Sequence, residues 1–199
     1  MNESVTIPQS QINTNLIMPI PNNKTKSYGQ KMSLYANRKK DLVKLELNRW
    51  IDVTYKPTHF LSIQLPENLR YVSKENAITH LRNMMVIFER YLLKRHWNKK
   101  HLPFICFEEE CAADGWHFHI FLNKREFTEQ QLKKAVFVVN IKLKLSSYCI
   151  DIRHIPDNLI TTYENYGIKQ IRIDEFSHFD SDRIILSHDL FNLPYKNCK

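Results

Sequence analysis

The sequence predicts an α+β domain, with a central antiparallel sheet, helices packed on one face and the opposite face left for a site. Three observations predict it. Short apolar runs with a two-residue period recur along the chain, longer stretches between them carry apolar residues every three or four positions, and the two kinds alternate as strand, helix, strand, strand, helix, strand. A chain of 199 residues can bury one substantial core with an appendage left over, and no internal repeat is apparent.

Each element has a local reason. Residues 1–27 are rich in Asn, Ser, Gln and Thr, with Pro8, Pro19 and Pro21 breaking any periodicity, and read as a flexible arm. Residues 28–57 read as a basic helical lead-in. From Lys31 to Trp50, Leu34, Leu42, Leu45 and Leu47 mix with Arg38, Lys39, Lys40, Lys44 and Arg49, so this helix is expected outside the core. Residues 58–199 are expected to form the main domain. Its first strand is THFLSIQLP, where Phe60, Ser62 and Gln64 alternate with Leu61, Ile63 and Leu65 until Pro66 stops the run.

Ser73 offers an N-cap for a helix carrying Ala77, Leu81, Met84, Met85, Phe88 and Leu92 on one face. LPFICFEEE and WHFHIFLNK are two strands of a hairpin, joined through Cys111–Gly115 with its Asp-Gly step. Thr128 and Gln131 form a capping box for a second helix through Leu132, Ala135, Val136, Val139 and Leu143. YCIDIRHI is a further strand, residues 158–170 a third helix, and IRIDEF a short strand after it. This order is the split βαβ arrangement of ferredoxin-like and RRM-like folds.

Lys and Arg outnumber Asp and Glu by 29 to 21, which makes a polyanion such as nucleic acid a plausible partner. Arg38-Lys39-Lys40 and the run from Lys94 to Lys100 are candidate duplex contacts. The four cysteines form no CxxC pair, which fits a reduced interior. No signal-peptide pattern or membrane-length apolar run is present, so a cytoplasmic protein without membrane attachment is expected.

The chemistry is expected at GWHFHIFL. His117 and His119, two apart in a strand, project from one face, with Phe118 and Ile120 on the other. If the latter face the helices, the imidazoles face solvent. Two neutral imidazoles and a carboxylate across the hairpin make a divalent-metal set with open positions. Glu108 and Glu110 share a face and Glu109 points the other way. A four-residue loop, Ala112–Gly115, would set Glu108 opposite His119 and Glu110 opposite His117; Glu108 is preferred and Glu110 is the alternative. Downstream, Tyr163, Tyr166 and Lys169 follow at three-residue steps, near one face of a helix. A tyrosine hydroxyl with a pKa near ~10 needs a nearby cation to act as a nucleophile at neutral pH.

In this order, FLSIQLP, WHFHIFL and YGIK resemble the three motifs of the HUH endonuclease superfamily, specifically its rolling-circle replication initiators, the Rep proteins of plasmids and small DNA viruses. The resemblance covers about residues 58–170. It implies sequence- or structure-specific nicking and joining of single-stranded DNA through a covalent 5′-phosphotyrosine. His117, His119 and Glu108 (or Glu110) would hold Mg²⁺ or Mn²⁺, Tyr166 would be the nucleophile, with Tyr163 the alternative, and Lys169 would orient the phosphate. The implied partners are an origin strand or hairpin, with a host helicase and DNA polymerase, since no Walker motif is present. Transposases and relaxases share the same chemistry. Two rivals come from other classes: a non-catalytic RRM-like strand-binding module stacking bases on Trp116, Phe118 and Tyr148, and a zinc hydrolase that uses a metal-bound water.

Overall fold

The structure, a computed structural model, describes residues 28–156 and 181–191, the first twelve of these by backbone alone. The chain divides into two compact units, Met1–Tyr35 and Ala36–Lys199. Of the first, the described part is the opening of a helix, α1 (Tyr28–Tyr55).

The second unit is built on a five-stranded sheet: β1 (His59–Gln64), β2 (Phe104–Cys111), β3 (Gly115–Leu122), β4 (Ile150–His154) and β5 (Ile184–Leu186). The strand order is β4-β1-β3-β2-β5, and every neighbouring pair is antiparallel. Helices α2 (Lys74–Leu93) and α3 (Glu129–Leu143) lie in the β1–β2 and β3–β4 connections, and a single turn, α4 (Ser187–Leu190), follows β5. The caps are those expected. Ser73 Oγ accepts from Asn76 N–H, and Thr128 and Gln131 exchange both bonds of the capping box.

Alternation sorts the sheet residues onto two faces. Leu61, Ile63, Cys106, Phe118, Ile120 and Ile150 join Ala77, Leu81, Met85, Leu132 and Val139 in the larger core, beneath α2 and α3. Within it Glu89 is wholly buried; its Oε1 accepts from Leu102 N–H and its Oε2 pairs with His101 Nδ1 at 2.5 Å. Burial raises the Glu89 pKa against the pull of His101. The two cysteines here, Cys106 and Cys149, are buried free thiols.

The opposite face is not open, which corrects the expectation of helices on one side only. Phe60, Ile105, Phe107, Phe121, Ile155 and Leu186 form a second core with Leu47, Ile51 and Tyr55 of α1. Those three helical residues recur every four positions, so they form one apolar stripe along α1. Leu42 and Leu45, by contrast, are exposed. β5 and α4 were not expected; the helix and strand expected at 158–176 lie outside the described residues. Among the described residues no helix is long and apolar enough to cross a membrane.

Candidate functional site

The site is set by the register of the β2–β3 hairpin. Cys111 pairs with Gly115, Glu110 with Trp116, Glu109 with His117 and Phe107 with His119. The loop is therefore Ala112–Asp114, three residues rather than four. Gly115 closes it with φ +76°, the left-handed conformation that a three-residue hairpin loop calls for at this point. One residue of difference moves every side chain of β2 to the other face relative to β3.

The expected ligands Glu108 and Glu110 are consequently not on the histidine face. Glu108, 3% exposed, lies on the α2 side and is paired with the Lys74 ammonium, which also donates to the carbonyl of Asp182 at 2.6 Å. Glu110 pairs across the strands with Trp116, and with Lys74, Glu108, Trp116, Asp182 and Arg183 it lines an open pocket of about 360 Å³. The carboxylate that joins the histidines is Glu109. Its Oε2 accepts from His119 Nε2 at 2.8 Å, diagonally across the ladder from its direct partner His117. Alternation with a four-residue loop would turn Glu109 away from the histidines. The left-handed preference of glycine after a three-residue loop was the signal that could have found it.

His117 and His119 do share one face of the central strand β3. In cross-strand rows, Gln64, His117 and Glu109 stand side by side, as do Ser62, His119 and Phe107. Exposure separates the two imidazoles. His119 is 1% exposed and stacks on Phe60, ring centroids 5.7 Å apart, at the border of the second core. His117 is half-buried, and its Nε2 is buried without a hydrogen-bond partner among the described residues.

His119→Ala is thus expected to lower the free energy of unfolding by about 2–4 kcal/mol, through lost packing and loss of its hydrogen bond to Glu109. His117→Ala is expected to cost less than about 1 kcal/mol. Urea unfolding of the two variants checks this; equal costs would contradict the burial.

Among the described residues, no three His, Cys, Asp or Glu side chains are gathered closely enough to hold a metal ion as they stand. The donor set nevertheless fits a divalent cation: the buried Nε2 of His117 has no hydrogen-bond partner among the described residues, and a second imidazole and a carboxylate share its face. Holding one requires Glu109 to turn from His119. The remaining expected residues, Tyr163, Tyr166 and Lys169, lie outside the described residues. Trp116 and Phe118, the stacking platforms of the binding-module rival, are buried in the larger core, and Trp116 Nε1 donates to Val72 O at 2.9 Å. Tyr148 alone of the three is exposed.

Comparison of the chain with known protein families, curated proteins and solved structures finds no match.

Proposed function

We propose that this chain nicks and rejoins single-stranded DNA through a covalent 5′-phosphotyrosine, as a rolling-circle initiator of the HUH kind. The observation that carries the reading is one face of β3 bearing His117 and His119, with Glu109 of β2 bonded to His119. The strand order β4-β1-β3-β2, with helices in the β1–β2 and β3–β4 connections, fits the ferredoxin-like sheet of that class. The exposed basic run at Lys94, Arg95, Lys99 and Lys100 suits contact with a phosphate backbone. Burial of Trp116 and Phe118 weighs against the strand-binding module.

His117, His119 and Glu109 would hold the divalent ion, Mg²⁺ or Mn²⁺, which when bound polarises a phosphate oxygen. The Tyr166 hydroxyl oxygen attacks the phosphorus and the bond to the 3′ oxygen breaks. The phenolic proton is lost to solvent, and the departing 3′ oxygen gains one. The products are a tyrosyl 5′-phosphate and a free 3′-hydroxyl, and the reverse reaction rejoins the strand. The Lys169 ammonium offsets negative charge as the phosphate becomes pentacoordinate.

The test is incubation with single-stranded oligonucleotides from the native replicon, with Mn²⁺ or EDTA, read on a denaturing gel. A metal-dependent band of protein joined to DNA supports the proposal. Cleavage without an adduct would instead indicate a metal-water hydrolase, and tight binding with neither would indicate a binding module.

The register makes a second, independent prediction. Glu109→Gln is expected to weaken Mn²⁺ binding roughly 10- to 100-fold in a calorimetric titration. Glu108→Gln is expected to leave it unchanged while lowering stability by about 1–3 kcal/mol, since Lys74 loses a charged partner. The reverse pattern would restore the four-residue loop.

A further inference from the structure

A second pair of histidines meets on the other face of the sheet, where β1, β4 and the start of α3 converge. His59 is directly paired with His154 in the β1–β4 ladder, and their ring centroids are 5.3 Å apart with planes at 83°. His59 is 0% exposed, while His154 is open to solvent. Glu129, the first residue of α3, is near enough for its charge to act on both rings.

The hydrogen bonds around Thr58 and the burial of the far ring nitrogen together argue for one tautomer of His59. Thr58 Oγ1 has one proton, directed at Leu122 O at 3.4 Å, and it accepts from Lys124 N–H at 3.0 Å. Its contact with His59 Nδ1 at 3.1 Å is then one in which the ring N–H donates. That tautomer puts the proton on Nδ1 and leaves Nε2 with a bare lone pair. That Nε2 is buried and has no hydrogen-bond partner among the described residues. The opposite tautomer would bury an N–H with nothing to receive it, the costlier arrangement.

A neutral imidazole oriented through its other nitrogen, with its acceptor nitrogen unused, is the form in which histidine binds a transition metal. Burial first, then the neighbouring His154, lowers the His59 pKa to about 4, so at neutral pH no proton competes for this nitrogen. The spacing also suits. With metal–nitrogen distances near ~2.1 Å and tetrahedral angles, the centroids of two imidazoles on one ion lie roughly 5 Å apart.

We propose that His59 and His154 are ligands of a second site for a transition-metal ion of the zinc type, with the Glu129 carboxylate recruited as a third. Glu129 is now paired with Lys133 at 2.6 Å, and Lys124 is also close to His59. The ion therefore competes with Lys133 for the carboxylate, and solvent completes the coordination. Its effect is structural. It fastens β4, a strand at the end of the described sheet, to β1 and to the first turn of α3. This site is independent of His117 and His119, which lie on the opposite face of the sheet.

The experiment is a Zn²⁺ titration of the full chain, followed by long-range proton–nitrogen correlation spectra that resolve each imidazole nitrogen. Before zinc, His59 is expected to carry its proton on Nδ1. With zinc, His59 Nε2 and one nitrogen of His154 are expected to shift together and saturate at one equivalent for that pair. His154→Ala, at an exposed position, is expected to weaken binding at His59 by roughly 10- to 100-fold or more, and Glu129→Gln by less. Because nitrogens are read individually, zinc taken up at His117 or His119 does not mask the result. Unmoved His59 and His154 signals while zinc binds elsewhere would overturn the proposal. So would an unchanged His59 response in His154→Ala.

Discussion

Tyr166→Phe is expected to abolish the covalent protein–DNA adduct and to lower strand nicking by a factor on the order of 10⁴ or more, the scale of loss when a covalent nucleophile alone is deleted. The change removes one oxygen and keeps the ring, so stability and DNA affinity should remain near those of the parent. A phenol with a pKa near ~10 is almost wholly protonated at neutral pH, and its reactivity depends on nearby positive charge. Lys169, three residues on, is the nearest such charge in the sequence. Lys169→Ala should therefore slow adduct formation by roughly 10²-fold, less than loss of the nucleophile itself. Tyr163→Phe separates the remaining cases. If it alone removes the adduct, the nucleophile is Tyr163; if each change blocks a different strand-transfer step, both tyrosines act.

These outcomes can be told apart from a fault at the histidine face. His117→Ala should also lose the adduct, but with weakened Mn²⁺ binding, whereas Tyr166→Phe should bind Mn²⁺ normally. That split follows from chemistry alone: one variant lacks a metal donor and the other lacks only an attacking atom. A Tyr166→Phe protein that still forms the adduct would require another nucleophile, and YGIK would not be the tyrosine motif.

Most of the sheet was legible because its signals are local. Pro66 ends β1, Ser73 and Thr128 cap α2 and α3 through bonds within three residues, and the period of two in β1 and β3 requires only neighbours. What was not legible depends on partners distant in sequence. The three residues of β5 carry almost no pattern, and they become a strand because Ile105, Cys106 and Phe107 offer an edge to Leu186, Ile185 and Ile184. The cover over the second face was hidden for a different reason. Leu47, Ile51 and Tyr55 repeat at helical spacing, but the charges between them read equally well as a solvated helix, and only the apolar patch of Phe60, Phe107 and Phe121 decides it. His117 and His119 do share one face of β3, but that face is closed over His119 rather than open to solvent, and Glu109 rather than Glu108 or Glu110 stands on it. Asp114-Gly115 announces a hairpin but is compatible with loops of three or four residues, and the choice between them selects Glu109 or its neighbours.

Gly115→Ala tests that choice directly and should produce the largest loss of stability, about 2–5 kcal/mol by urea unfolding. Two costs add. A residue with a Cβ pays about 1–2 kcal/mol to hold left-handed backbone, and here φ is +76°. The added carbon would also stand 2.7 Å from both the Cα and the carbonyl oxygen of Arg70, a backbone clash of a kind that costs about 1–3 kcal/mol to relieve. The Arg70 segment cannot simply retreat, because Trp116 Nε1 holds Val72 O, and Arg70 itself donates weakly to Ala113 O at 3.5 Å. Arg70→Ala should therefore fail to rescue Gly115→Ala, since alanine keeps the same Cα, Cβ and oxygen. A loss below about 1 kcal/mol would have a more interesting cause: the loop would have re-formed around a different residue, slipping β2 against β3. Such a slip would carry Glu109 off the histidine face and bring Glu108 and Glu110 onto it. The Mn²⁺ affinity of Glu109→Gln in that background would then equal that of its parent, so the stability measurement and the metal titration together fix which carboxylate the hairpin presents.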